Sequence, residues 1–273
     1  MVLTASDLVL NEVPKLSEGS LIIGLSGWGD AGSVSTLCVT YLIEKLGATE
    51  IGEITPGRFY DYSAQRPHVS IEGGLIKDYA PPKNQFYYWK AKTGRPAILL
   101  LRGAEPHIDW PAYSQNVLDA VEKTGVRRIY MIGAYVGNVP HTVEPAISIS
   151  SRSESFLKEV GHLGLEATNY SGTTGIYSEI IEGSHKRGID AMSIWGAVPP
   201  YVQGANPKVA FFILDKIVSM IGLEVSLLEM KGKGDELDEQ LALEAKQNPD
   251  LRRLISSMEL EYRAVRRFDS YIV

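Results

Sequence analysis

Leu21-Ile22-Ile23-Gly24-Leu25-Ser26 runs directly into Gly27-Trp28-Gly29-Asp30-Ala31-Gly32, and apolar residues then recur at Val34, Leu37, Cys38, Tyr41, Leu42 and Leu46. A short apolar run bounded by glycines predicts a buried strand, and the three-and-four spacing after it predicts a helix with one apolar face. Asp30 can accept hydrogen bonds from the first N–H groups of that helix, and Gly47 ends it. Residues 50–55 alternate as a second strand. Strand, tight turn, helix, strand predicts a parallel pair and an α/β chain.

Further strands are predicted over residues 85–90, 97–101, 128–134, 165–169 and 190–197, while 148–151 fits either class. Residues 68–77 are β-rich and split by Gly73-Gly74, a hairpin turn. Helices are predicted over 109–124, with Pro111 in the first turn, and over 153–160, 174–187 and 207–221. The last forty residues differ. Gly232-Lys233-Gly234 reads as a hinge, 235–247 as a charged helix, and Asp250 as the cap of a last helix. One face of that helix carries Leu251, Leu254, Ile255, Met258, Tyr262 and Val265. The division is an α/β domain over 1–230 and a helical extension over 231–273.

The length of 273 residues is enough to bury a sizeable core. A net charge of −6 excludes bulk attraction to nucleic acid or an anionic membrane. No apolar stretch approaches the length a membrane helix needs. Residues 1–13 lack the pattern of a signal peptide. With Cys38 alone no intrachain disulfide can form. These features read as cytoplasmic.

Residues 27–32 match G-x-G-x-x-G between a strand and a helix, with Glu53 about twenty residues on, as in a dinucleotide site. Two features oppose it. Asp30 sets a negative charge where a pyrophosphate would bind, and Trp28 sets a bulky indole where backbone must approach phosphate. The bland alternative is a tight turn that needs small residues. No Gly-Lys-Ser or Gly-Lys-Thr closes a phosphate loop, and 24–28 fail the nucleophile-elbow pattern at the fifth position. Cys38 sits on an apolar helical face and reads as packing. His68, His107, His141, His162 and His185 show no metal-ligand spacing, so neither metal nor cofactor is expected.

Loops after the predicted strands share the carboxyl edge of the sheet, where open α/β sheets bind ligands. They are 102–106, 133–142, 170–175 and 195–201. They offer Asp30, Arg102, Glu105, Asn138, His141, Thr173 and Thr174 alongside Gly27 and Trp28. The opposing reading is loop punctuation by Gly and Pro, with solvated polar residues.

In order, Gly27 to Gly32, Arg102-Gly103-Ala104-Glu105-Pro106, Gly133-Ala134 with Val139-Pro140-His141-Thr142, Tyr170-Ser171-Gly172-Thr173-Thr174-Gly175-Ile176, and Pro200-Tyr201-Val202 with Asn206-Pro207 resemble the proteasome-assembly-chaperone-two family. Phe59-Tyr60-Asp61-Tyr62 and Arg66-Pro67 resemble its bacterial members. The resemblance implies a three-layer α/β/α sandwich with a mostly parallel mixed sheet, similar to the nucleoside phosphorylase fold. It also implies self-association, read here as a trimer, and proteasome-type subunits as partners. It implies no catalytic residues. Partners that dock into proteasomes often end in a hydrophobic residue, a tyrosine and one more residue. Ser270-Tyr271-Ile272-Val273 places the tyrosine one position early, so docking through the C-terminus is not expected.

Two functions follow. The first is a non-catalytic, assembly-chaperone-like interaction protein, motivated by the resemblance and by the apolar stripe of the last helix. The second is an enzyme or binding protein for a small anionic or nucleoside-like ligand at the strand-end cleft, with Arg58, Arg66 and Arg102 available to an anion. The ligand or interface residues expected are Gly27, Trp28, Asp30, Arg58, Asp61, Arg66, Arg102, Glu105, Asn138, His141, Tyr170, Thr173, Thr174 and Tyr201.

Overall fold

The strand that opens the sequence pattern lies at the centre of a nine-stranded sheet. The computed structural model describes residues 7–16, 18–92 and 96–269. Its strands are β1 (Leu8–Leu10), β2 (Gly19–Ser26), β3 (Thr49–Ile54), β4 (His68–Glu72), β5 (Leu75–Ala80), β6 (Asn84–Lys90), β7 (Ala97–Ala104), β8 (Val126–Val136), β9 (Ile147–Ser151), β10 (Glu166–Ala167) and β11 (Asp190–Val198). Its helices are α1 (Val34–Leu46), α2 (Trp110–Thr124), α3 (Glu154–Val160), α4 (Ile176–Lys186), α5 (Pro207–Ile221), α6 (Leu228–Gln247) and α7 (Pro249–Asp269).

The large sheet runs β1-β3-β6-β7-β2-β8-β11-β9-β10. Its core, β7-β2-β8-β11, is parallel, and antiparallel pairs flank it on both sides. Side chains of β2 pointing either way are buried, as a strand covered on both faces requires. Leu21, Ile23 and Leu25 pack with α2 and α4, and Ile22 packs with α1, α3 and α5. These are the three layers expected of an α/β/α sandwich.

Three local expectations change and one open assignment is settled. β2 and β3 run in the same direction but are not a pair, because β7 and β6 lie between them. Residues 148–151 belong to β9, antiparallel to β11. The hinge at Gly232-Lys233-Gly234 does not exist: α6 runs straight through it. Gly234 is small because α6 crosses α5 there, and a Cβ would sit 2.9 Å from the Lys208 Cα. The last helix is capped by Asn248, not Asp250, since Asn248 Oδ1 accepts from the N–H groups of Asp250 and Leu251, both at 3.1 Å.

α6 and α7 fold back on the domain. Met258 is only 2% exposed and Ile255 is buried, while Leu254 stays half-exposed. Glu261 accepts from the Asn138 amide at 2.5 Å, and Glu259 accepts from the Thr142 hydroxyl, which ties α7 to the loop after β8. The side chain of Val265 and residues 270–273 lie outside the described ones.

β4 and β5 pair with each other and with no strand of the large sheet. Gly73 and Gly74 take φ of 56° and 81°, the left-handed pair that a two-residue hairpin turn needs. Val69 stands opposite Tyr79, and Ile71 opposite Ile76. Opposed residues share a face, so these four side chains form one apolar face. Its exposure ranges from 43% at Val69 to 70% at Ile76. Ser70 and Asp78 oppose each other on the other face.

Candidate functional site

The turn after β2 closes a gap in the sheet. β2 and β8 pair only as far as Gly24 and Ile132. Beyond that point the Leu25 N–H donates to Ser35 Oγ at 3.0 Å and to the Tyr177 hydroxyl at 3.2 Å. Both hydroxyls donate to the Ile132 carbonyl, at 2.6 and 2.9 Å. The buried backbone groups freed by the divergence are thereby satisfied. The turn then rejoins β8, with the Ala134 N–H donating to the Gly29 carbonyl at 2.8 Å.

Each glycine of the turn has a reason unrelated to phosphate. Gly27 takes φ +133°, a region L side chains rarely adopt. A Cβ on Gly29 would meet the Trp195 ring at 3.0 Å, and one on Gly133 would meet the same ring at 2.5 Å. Gly32 takes φ +59° against Asn206, which caps α5. Asp30 Oδ1 accepts from the N–H groups of Ser35 and Thr36 at 2.7 and 3.2 Å, and Oδ2 accepts from the Thr36 hydroxyl. Burial nonetheless pushes its carboxyl above the usual value. Glu53 lies on β3, with two strands, β6 and β7, between it and β2. The start of α1 is therefore taken by the chain's own carboxylate, and no ribose-binding acid stands beside it. This overturns the dinucleotide resemblance.

The start of α4 is taken in the same way. Glu105 Oε1 accepts from the Ile176 N–H at 2.9 Å, and Oε2 accepts from the Trp28 N–H at 3.2 Å. Glu105 therefore clamps the glycine turn to α4.

Above this clamp lies a cleft of about 380 Å³. Its floor comes from β8, β9 and β11 on the α4 side of the sheet: Tyr135, Ser148, Ser150, Ser193 and Trp195. Its walls are Trp28, Thr168, Asn169, Tyr170, Thr173, Thr174, Tyr177 and Ser178. Trp195 anchors the aromatic part, edge-on to Trp28 at 6.2 Å and to Tyr177 at 6.0 Å between centroids. Trp28 is 62% and Tyr170 67% exposed. The Tyr170 hydroxyl is held by the Thr173 carbonyl at 2.9 Å. Ser150 and Ser193 hydroxyls meet at 2.8 Å. No charged side chain lines this cleft among the described residues.

Of the expected residues, Trp28, Tyr170, Thr173 and Thr174 line the cleft, with Gly27, Asp30 and Glu105 in the turn and clamp that support it. The others lie elsewhere. Arg102 donates to the Tyr87 hydroxyl at 2.9 Å and lies over that ring, near Gln85. Arg58 pairs with Asp7 and Asp109 beside the start of α2. Asp61 caps its own turn, and the Ser63 hydroxyl and N–H hold its carboxyl below the usual range. Arg66 is exposed on the segment leading to β4. The three arginines expected to meet an anion are not brought together, because each belongs to a different part of the β1–β7 side.

Asn138, His141 and Tyr201 form a separate cluster under the tail. Tyr201 accepts from the His141 N–H and bonds its Nδ1, both at 2.8 Å. Lys208 donates to the His141 carbonyl and pairs with Asp238 of α6 at 2.6 Å. Burial lowers the His141 imidazole and pushes the Tyr201 hydroxyl up to about 12. The strand-end edge is thus split. Its Trp28 half is open, and its His141 half is filled by α6 and α7. Sequence reasoning missed Ser148, Ser150 and Ser193. The available signal was their alternation with Ile147, Ile149 and Ile194, the mark of a half-exposed sheet face.

No curated protein matches the sequence. A PAC2 family protein from Streptomyces avermitilis is 25% identical, with 82% of this chain and 95% of that one covered, at a TM-score of 0.76. A Mycobacterium tuberculosis proteasome-assembly chaperone homologue is 24% identical, with 86% and 99% covered, at 0.79. An archaeal proteasome activator from Pyrococcus furiosus is 22% identical, with 86% and 96% covered, at 0.68. The PAC2 family model matches residues 24–244, most of the chain, together with every motif that builds the strand-end edge, and the protein belongs to the PAC2 family.

Proposed function

We propose that this chain is a non-catalytic, cytoplasmic interaction protein of the assembly-chaperone type, which associates with copies of itself through the β4–β5 hairpin. The observation that carries the reading is the exposed apolar face of Val69, Ile71, Ile76 and Tyr79. A two-stranded hairpin is marginal alone and leaves two open edges. A second copy supplies both an apolar face and a strand edge of matching form. The relatives support the class of function: one is described as a proteasome-assembly chaperone homologue and another as a proteasome activator. Proteasome-type subunits are accordingly the client class in this reading. The division in this reading is an interaction domain over 1–230 and an extension over 231–273, with α6 and α7 clasped to the domain.

Completing the burial of four such side chains contributes about 1–2 kcal/mol each. Association costs about 4–15 kcal/mol in lost freedom. The balance is narrow, so one or two polar substitutions suffice to dissolve the assembly. Light scattering on the purified chain across a concentration series tests this. An oligomer is expected at micromolar concentration, its mass deciding the expected trimer, and Ile71→Ser with Ile76→Ser is expected to leave a monomer. A wild-type chain that stays monomeric, or a double variant of unchanged mass, overturns the reading.

A further inference from the structure

The cleft beside Trp28 has a chemistry that selects its occupant. Helix starts at the ends of parallel strands attract anions through their free N–H groups. Here Asp30 already accepts at the start of α1 and Glu105 at the start of α4. A phosphate would meet two fixed carboxylates nearby and no lysine or arginine in the lining. A cation would find no lining carboxylate either, and both nearby ones are engaged by backbone N–H groups. What the lining does offer is ring faces and hydroxyls. Trp28 and Tyr170 present large exposed aromatic surfaces, Tyr170 pinned in place through its own hydroxyl. Ser148 presents a hydroxyl that donates and accepts equally, and Thr174 and Ser178, which hydrogen-bond each other, keep further donor and acceptor capacity between them. The volume lies within the range of small-molecule sites.

We infer that the cleft binds an uncharged, nucleoside-sized ligand with an apolar ring face and a hydroxyl-bearing edge, and that it discriminates against the phosphorylated form. Nucleosides and glycosides share this chemistry. The ring face lies on Trp28 or Tyr170, and the hydroxyl edge meets the serine floor. This inference is independent of self-association, because the hairpin contributes nothing to the cleft.

The test is calorimetric titration of the full chain with adenosine, uridine, a methyl glucoside, and the 5′-monophosphates of the two nucleosides. At least one neutral compound is expected to bind, and either source supports the inference. Each monophosphate is expected to bind at least about tenfold more weakly than its nucleoside. At least one of Trp28→Ala and Tyr170→Ala should weaken binding by about tenfold, the scale of one lost stacking platform. Both side chains are exposed, so the thermal midpoint should hold, which separates lost binding from lost fold. Arg102→Ala should change nothing. A monophosphate that binds as well as its nucleoside overturns the inference. So does binding that survives both aromatic substitutions, or the absence of binding by every neutral compound at millimolar concentration.

Discussion

The C-terminal tail and the β4–β5 hairpin are both amphipathic, and they end in opposite states. The tail carries the longer apolar stripe, yet Ile255 and Met258 are buried within the same chain. The hairpin carries only four apolar side chains on one face, and all four are exposed. The difference is one of reach. α6 crosses α5 closely at Gly234, and α7 returns across the loop after β8, so the middle of the stripe, Ile255 and Met258, is covered within the chain. β4 and β5 hydrogen-bond with each other and with no strand of the large sheet, so their apolar face has no layer of its own chain to lie on. Amphipathicity states that a face is to be covered. It does not state by what.

Truncating one side chain on each surface is expected to have very unequal effects. Met258→Ala is expected to cost about 2–5 kcal/mol, as for a buried large-to-small change. Ile76→Ser, measured at a concentration too low for association, should stay within about 0.5 kcal/mol. Urea denaturation reads both. Equal losses would mean that the hairpin face is packed within one chain after all.

A second substitution probes the boundary between the open and the filled halves of the strand-end edge. Gly133→Ala forces a methyl group into the Trp195 ring and should cost about 1–3 kcal/mol by overpacking. It should also disturb the cleft and leave the tail contacts unchanged, which tryptophan fluorescence can follow. An unchanged midpoint and spectrum would show that Trp195 is not wedged there.

The smallest effect concerns the loop beneath the tail. Burial lowers the His141 imidazole, with the Lys208 ammonium adding to it and the Asp238 and Glu259 carboxylates opposing. The folded chain therefore binds less proton at this site than the unfolded chain does below the ordinary value of 6.5. Its contribution to stability is full above 6.5 and is lost as the pH falls through the lowered folded value. His141→Gln should flatten that part of the stability profile. A profile identical to wild type would place the dependence elsewhere.

Much of the fold was legible because periodicity and punctuation act locally. The buried run of residues 21–26, Asp109 with Pro111, and Gly73-Gly74 each produced the element they predict. Pairing was not legible: β3 follows α1 directly, yet β6 and β7 intervene in the sheet. The site was legible by half. Trp28, Tyr170, Thr173 and Thr174 were visible as loop residues after strands. Tyr177 and Ser193 were not, since they look like ordinary helix and strand positions until β9 folds antiparallel beside β11.

The glycine turn shows where the two kinds of information divide. Local chemistry determined by itself that residues 27–32 form a tight strand-to-helix turn and that Asp30 holds the start of α1, because φ preference and capping reach only a few residues. Only the tertiary structure decided why Gly29 and Gly133 are small, which is the Trp195 ring laid against both. It alone decided that Glu105, far away in sequence, closes the start of α4. It also decided that Ile255 and Met258 of the tail are covered while the hairpin face is not. These depend on which surfaces meet across the sheet, and that meeting is written in no short stretch of the chain.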